Sequence, residues 1–84
     1  MRVHTTAVPA TKYLPVRIHV KLTDDNNVPN NVKDRTFELP SHDESEHDLA
    51  AGFFLMHMGM ADANARKMGS TLTKRGYVYE IVEN

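Results

Sequence analysis

Hydrophobic and polar positions fall into a few stretches of regular pattern. Across residues 13–23, Leu14, Val16, Ile18, Val20 and Leu22 alternate with Tyr13, Pro15, Arg17, His19, Lys21 and Thr23, the period of a strand with one buried face. Pro15 has no amide hydrogen to give to a ladder, so the strand begins there or runs along an edge. Residues 35–39 repeat the alternation in short form, with Phe37 and Leu39 inward and Thr36 and Glu38 outward. Between them DDNNVPNNVK, residues 24–33, gathers Asn, Asp and Pro. That composition predicts a mobile turn, and with it a long antiparallel hairpin.

The period changes after Pro40. Leu49, Phe53, Met56, Met60 and Ala63 recur at helical steps, which predicts one long helix over residues 41–69 whose stripe covers the sheet. Ser41 with Glu44, or Ser45 with Asp48, has capping-box spacing for its start. Asp62 and Arg66 form an i, i+4 pair, and Gly69 is placed to end the helix. Gly52 and Gly59 lie seven apart and mark a close contact or a bend near Gly59. Phe54, Leu55 and Met58 project away from the stripe. A two-layer domain covers one side of its helix, so these three are the expected partner-binding surface unless the N-terminal segment or the long loop covers them. Methionine suits such a surface because its thioether chain adapts to different shapes.

Beyond the helix, residues 71–73 and 77–82 flank Lys74, Arg75 and Gly76, which predicts a tight hairpin with Gly76 at positive φ, or one bent strand. Tyr77, Tyr79 and Ile81 alternate with Val78, Glu80 and Val82, so the last strand is apolar on both sides and belongs inside the sheet. Residues 1–12 are weakly patterned and read as an edge strand or a flexible lead-in. The expected architecture is α+β in two layers: a three- to four-stranded, mainly antiparallel sheet on one long helix. Its order is β-β-α-β, with an extra short strand at either end, in a single domain over residues 1–84. A helix crossing to a parallel strand would do so right-handedly.

Composition narrows the function classes. A chain of 84 residues has room for one small core. It contains no cysteine, which excludes disulfides and thiolate chemistry. Its longest uncharged apolar run, Leu49 to Met56, is too short to span a bilayer, and the N-terminus lacks the apolar stretch of a signal peptide. A soluble cytoplasmic protein is expected. His42, Asp43, Glu44, Glu46, His47 and Asp48 are all metal-competent, but they issue from one helix entrance, whereas a metal needs ligands converging from several positions. Acids in a first turn are already favoured by the helix dipole. His57 is expected at the core margin and His19 on the surface. Ser41, Ser45 and Ser70 sit where capping accounts for them, and the four glycines are scattered rather than gathered into a phosphate loop. No enzyme, metal or cofactor is expected.

Charge is unevenly distributed. Residues 24–48 hold eight acids against two bases, and the remainder three acids against eight bases. The acidic residues Asp43, Glu44, Glu46 and Asp48 would join Phe54, Leu55 and Met58 in contacting a larger protein. The leading expectation is thus a small non-catalytic binding protein, a regulator or inhibitor of a larger machine, with a homodimer as a second form of contact. The alternative is a nucleic-acid-binding accessory protein using Arg17, Lys21, Arg66, Lys67, Lys74 and Arg75. At the level of layout alone the chain resembles small two-layer proteins with which phages and mobile elements block host machinery.

Overall fold

Alternation of β-branched and charged residues builds most of this molecule. The computed structural model describes residues 1–23, 34–60, 62 and 67–82. Its elements are β1 (Arg2–Val8), β2 (Arg17–Thr23), β3 (Arg35–Glu38), α1 (Glu44–His57), β4 (Lys67–Leu72) and β5 (Gly76–Ile81). The strands form one five-stranded sheet in the order β3-β2-β1-β5-β4, and every pairing is antiparallel. The α+β class and the hairpin of β2 with β3 are as expected. The residues joining them, 24–33, lie outside those described.

The N-terminal segment is neither an edge strand nor a lead-in. β1 lies at the centre, pairing with β2 from Arg2↔Thr23 to Val8↔Arg17 and with β5 from Arg2↔Glu80 to Thr6↔Gly76. Its pattern is weak because one inward position is polar: Val3 and Thr5 are both buried, and a threonine on the core face reads in sequence as an outward residue. The strand after it starts later than expected. Tyr13 and Leu14 are exposed in a turn where the Leu14 amide donates to Thr11 Oγ1 at 3.1 Å, and β2 begins only after Pro15.

Following the ladders, β3 and β4 run parallel to each other at opposite edges, so the connection through α1 crosses the whole sheet. The helix is 14 residues long, about 21 Å at 1.5 Å per residue, which is half the expected span. Neither proposed capping box starts it. Asp43 is the N-cap, with ψ 158° and no side-chain capping bond. Gly59, not Gly69, ends it. At φ 70° Gly59 closes a Schellman turn in which the Met60 amide donates to Leu55 O at 2.8 Å and the Gly59 amide to Met56 O at 3.0 Å. Met60 then packs against the core. Gly69 lies within β4, while Ala63 and the Asp62–Arg66 pairing fall outside the described residues.

The larger correction concerns which side of α1 faces the sheet. Ala50, Ala51, Phe54 and Leu55 are fully buried against Val3, Ile18, Val20, Leu22, Tyr79 and Ile81. Phe54 and Leu55, expected to meet a partner, are 0% exposed, and Met58 is partly buried on the same core. Leu49, Phe53 and Met56, expected inside, are 44%, 39% and 62% exposed. The sheet offers large branched side chains, so the helix comes close through alanines and inserts one aromatic ring, each large side chain contributing about 1.5 to 3 kcal/mol by burial. His47 shares this inner face at 2% exposure. With His47 included, residues 47, 50, 51, 54, 55 and 58 form an unbroken helical stripe.

β4 and β5 are two strands, not one bent strand. The turn is closed by the Thr73 amide donating to Gly76 O at 2.8 Å. Gly76 is not at positive φ; it is needed because a Cβ there would stand 1.8 Å from the Thr5 carbonyl oxygen. Close approach of β5 to β1, rather than turn conformation, selects glycine here.

Candidate functional site

Two regions of the surface carry more than a solvated fold requires. The first is the outer face of α1. Leu49, Phe53 and Met56 fall within one third of the helix circumference, all exposed. Phe37 of the edge strand β3 extends the patch sideways, its ring centroid 6.0 Å from Phe53 and 6.1 Å from the exposed His57. His57 therefore lies on the surface, not at the core margin. The result is a continuous apolar strip from the helix onto a sheet edge.

The acids beside it do not act as one block. Asp43 and Glu44 are exposed. Asp48 binds Lys67 Nζ at 2.6 Å, and that ammonium also lies 5.2 Å above the Tyr79 ring. Glu46 sits on the opposite flank, half-buried, with Oε2 sealed from solvent and unpartnered among the described residues. Burial first, then the charges of Asp48 and Glu44, push the Tyr79 phenol well above its usual range, and its hydroxyl is likewise buried without a partner there.

The second region is a cleft of about 250 Å³ at the end of the sheet beside the helix N-terminus, lined by His42, His47, Lys74, Arg75 and Tyr77 among others. The turn bearing Lys74 and Arg75 is pinned to β1 by the Ala7 amide donating to Arg75 O at 2.7 Å. His42 Nε2 bonds Arg17 O at 3.1 Å, and a carbonyl can only accept, so the proton is on Nε2. His47 Nδ1 lies 2.7 Å from Thr5 Oγ1, and the same hydroxyl is 3.4 Å from Tyr77 O. Thr5 has one proton for these two contacts, so the direction of the His47–Thr5 bond follows the tautomer of the ring. Burial, followed by the neighbouring His42, holds His47 below the ordinary histidine pKa. Its ring also meets Tyr77 edge-on at 5.0 Å.

The Thr5–His47 pair has the contacts of a nucleophile and its base, but Thr5 is 1% exposed, out of reach of a substrate. It holds the helix to the central strand. Among the described residues no three His, Asp or Glu side chains gather in a way that could hold a metal ion. His19 lies on the solvent face of β2, 3.3 Å from Asp34.

The six cations expected to bind nucleic acid are dispersed. Arg17 and Lys21 alternate with the buried Ile18, Val20 and Leu22 and so lie on the sheet face away from α1; Lys67 is drawn to Asp48, and Arg66 lies outside the described residues. Only Lys74 and Arg75 meet in one cleft, and they meet two histidines there. Sequence reasoning missed both histidines as parts of a cleft, because nothing local to residues 42–47 indicates a turn 30 residues away. The strip of Leu49, Phe53 and Met56 was visible as a helical stripe, but its direction was not. No helix among the described residues is long and apolar enough to cross a membrane. No family model, no curated protein and no solved structure matches this chain.

Proposed function

We propose that this is a small non-catalytic binding protein that acts by contact with a larger protein, as a regulator or inhibitor. The observation that carries the reading is the exposed strip of Leu49, Phe53 and Met56, continued by Phe37. Contiguous apolar side chains on one helix face are the anchors of helix-in-groove recognition, read at i, i+4 and i+7. Methionine and phenylalanine are also among the residues enriched where proteins meet. The partner's matching surface is an apolar groove, and Asp43 and Glu44 at the helix entrance favour a basic rim on it.

A variant carrying Phe53→Ser and Met56→Ser tests the reading, compared with wild type by affinity capture from a native lysate and by light scattering. Wild type should retain a partner, or a second copy of itself, that the variant loses while its circular dichroism is unchanged. A monomer with the same captures as the variant would sink the proposal.

A further inference from the structure

We infer that the free edge of β3 pairs with the same edge of a second copy of this chain, joining two sheets into one across a two-fold axis at Phe37. This interface lies beside the helix strip and does not need Leu49 or Met56. The backbone fixes which groups the edge offers. The Leu39 amide donates to Val16 O, and β3 pairs with β2 from Arg17↔Glu38 to Val20↔Arg35, so Arg35, Phe37 and Leu39 direct their amides and carbonyls to β2. Counting across the sheet from the Ile81 amide on Met1 O, through the β1–β5 and β1–β2 registers, gives the same alternation. Thr36 and Glu38 therefore turn theirs outward, where β3 ends the sheet among the described residues.

These outward groups are complementary to themselves. In an antiparallel pair centred on Phe37, Thr36 of each copy lies opposite Glu38 of the other, so the outward amides and carbonyls meet in four backbone hydrogen bonds. Phe37 faces Phe37 of the second copy as the non-hydrogen-bonded pair, in which side chains stand closest. The neighbours decide this register. An axis between two residues would pair opposite faces of the sheet. An axis at Thr36 would set Asp34 opposite Glu38, and one at Glu38 would set the two Glu38 carboxylates against each other; like charges oppose both. At Phe37 no like charges are directly opposed, and the acids on the outer face have cations beside them already, Arg17 opposite Glu38 and His19 3.3 Å from Asp34. Pro40, which has no amide hydrogen, closes the ladder.

On the helix side the edge is apolar and has room. Phe37 is half-buried, its ring 6.0 Å from Phe53 and 6.1 Å from His57. An open depression of about 610 Å³ lies along it, lined by Asp34, Arg35, Thr36, Phe37 and His57. The ring of the second copy's Phe37 enters there, and the two-fold axis extends the aromatic row from one helix to the other. The opposite edge of the sheet is different. β4 breaks register between Met68 and Thr71, an irregularity of the kind that blunts an edge against pairing, whereas β3 holds its register from Arg35 to Glu38. One short ladder and one aromatic cluster make a small interface, so the dimer is weak and depends on concentration.

Sedimentation of the whole chain between about 10 µM and about 1 mM tests the pairing. The mass should rise from that of one chain toward that of two across this range. Thr36→Pro removes an amide hydrogen that the ladder with β2 does not use, and proline is tolerated where an edge faces solvent. That variant should keep its circular dichroism and stay monomeric throughout. Because the chain has no cysteine, Phe37→Cys and Thr36→Cys report the register. Mild oxidation should link two copies of Phe37→Cys at least about tenfold faster, since residue 37 alone faces itself across the axis. If Thr36→Pro does not fold, the two cysteine variants still decide. A wild-type chain that stays monomeric at the highest concentration, or cysteines that crosslink at equal rates, would overturn the proposal. Self-association that survives Thr36→Pro but is lost in Phe53→Ser with Met56→Ser would overturn it too, and would leave the helix strip as the interface. Thr36→Pro retains Leu49, Phe53 and Met56, so a larger protein held by the strip should still be captured by it, which keeps the two readings apart.

Discussion

The two faces of α1 carry similar side chains and have opposite fates. Phe54 and Leu55 are sealed in the core, whereas Phe53 and Met56, their immediate neighbours, are exposed to solvent. Apolar character alone did not select the face. What selected it was the fit of Ala50 and Ala51 to a sheet of branched side chains, and the anchoring of His47 by Thr5. An outer strip as apolar as the inner one is an expense to solubility that a free monomer does not need, and that is why it stands out.

Truncating each phenylalanine in turn separates the two faces most strongly. Phe54→Ala should cost about 3 to 5 kcal/mol, enough to unfold much of a domain of this size, whereas Phe53→Ala should cost well under half of that, both measured by urea denaturation. Equal losses would mean that the faces are not distinct. Gly76→Ala should come next, at about 2 to 4 kcal/mol, because the added methyl meets the Thr5 backbone and must push the central pair of strands apart. Gly59→Ala separates conformation from packing. Nothing lies within 4 Å of the added Cβ, so the positive φ alone should cost about 1 to 2 kcal/mol. Asparagine there should cost less, since it tolerates that backbone region.

Acid sharpens the inner face specifically. His47 and His4 are both held below the ordinary histidine value, chiefly by burial, so the unfolded chain binds their protons more readily than the folded one. The stability they confer is complete above about pH 6.5 and is lost as pH falls through their folded values. The urea midpoint should therefore drop between pH 7.5 and 5.5, and His47→Gln should reduce that drop even if it lowers stability throughout. A midpoint unchanged over this range would mean that His47 is not sealed. The smallest effect belongs to the outer strip: Met56→Ser should alter stability by no more than about 0.5 kcal/mol while removing the contact proposed for it.

Much of this was legible in the sequence. Alternation along residues 17–22 placed that strand's inward residues Ile18, Val20 and Leu22 correctly, because a period of two leaves only two faces to choose between. Residues 77–81, apolar on both sides, showed a strand but not its inward face. The end of α1 at Gly59 was missed because the apolar pattern continues through Met60, and a glycine inside a helix and one that ends it look the same locally. The centrality of β1 was hidden by Thr5, a polar residue in the core whose partner, His47, lies 42 residues away. The cleft was hidden for a related reason: His42 and His47 come from the helix entrance, Lys74 and Arg75 from a distant turn.

Local periodicity and composition were enough for the class of fold, for the alternation along β2 and for an apolar surplus on one helix. Only the tertiary structure decided the helix phase, the central place of the N-terminal strand and the gathering of two histidines with two cations. Each of these depends on side chains distant in the chain meeting in space. A helix that is apolar around much of its circumference has no preferred face until a sheet, through shape and one buried hydrogen bond, gives it one.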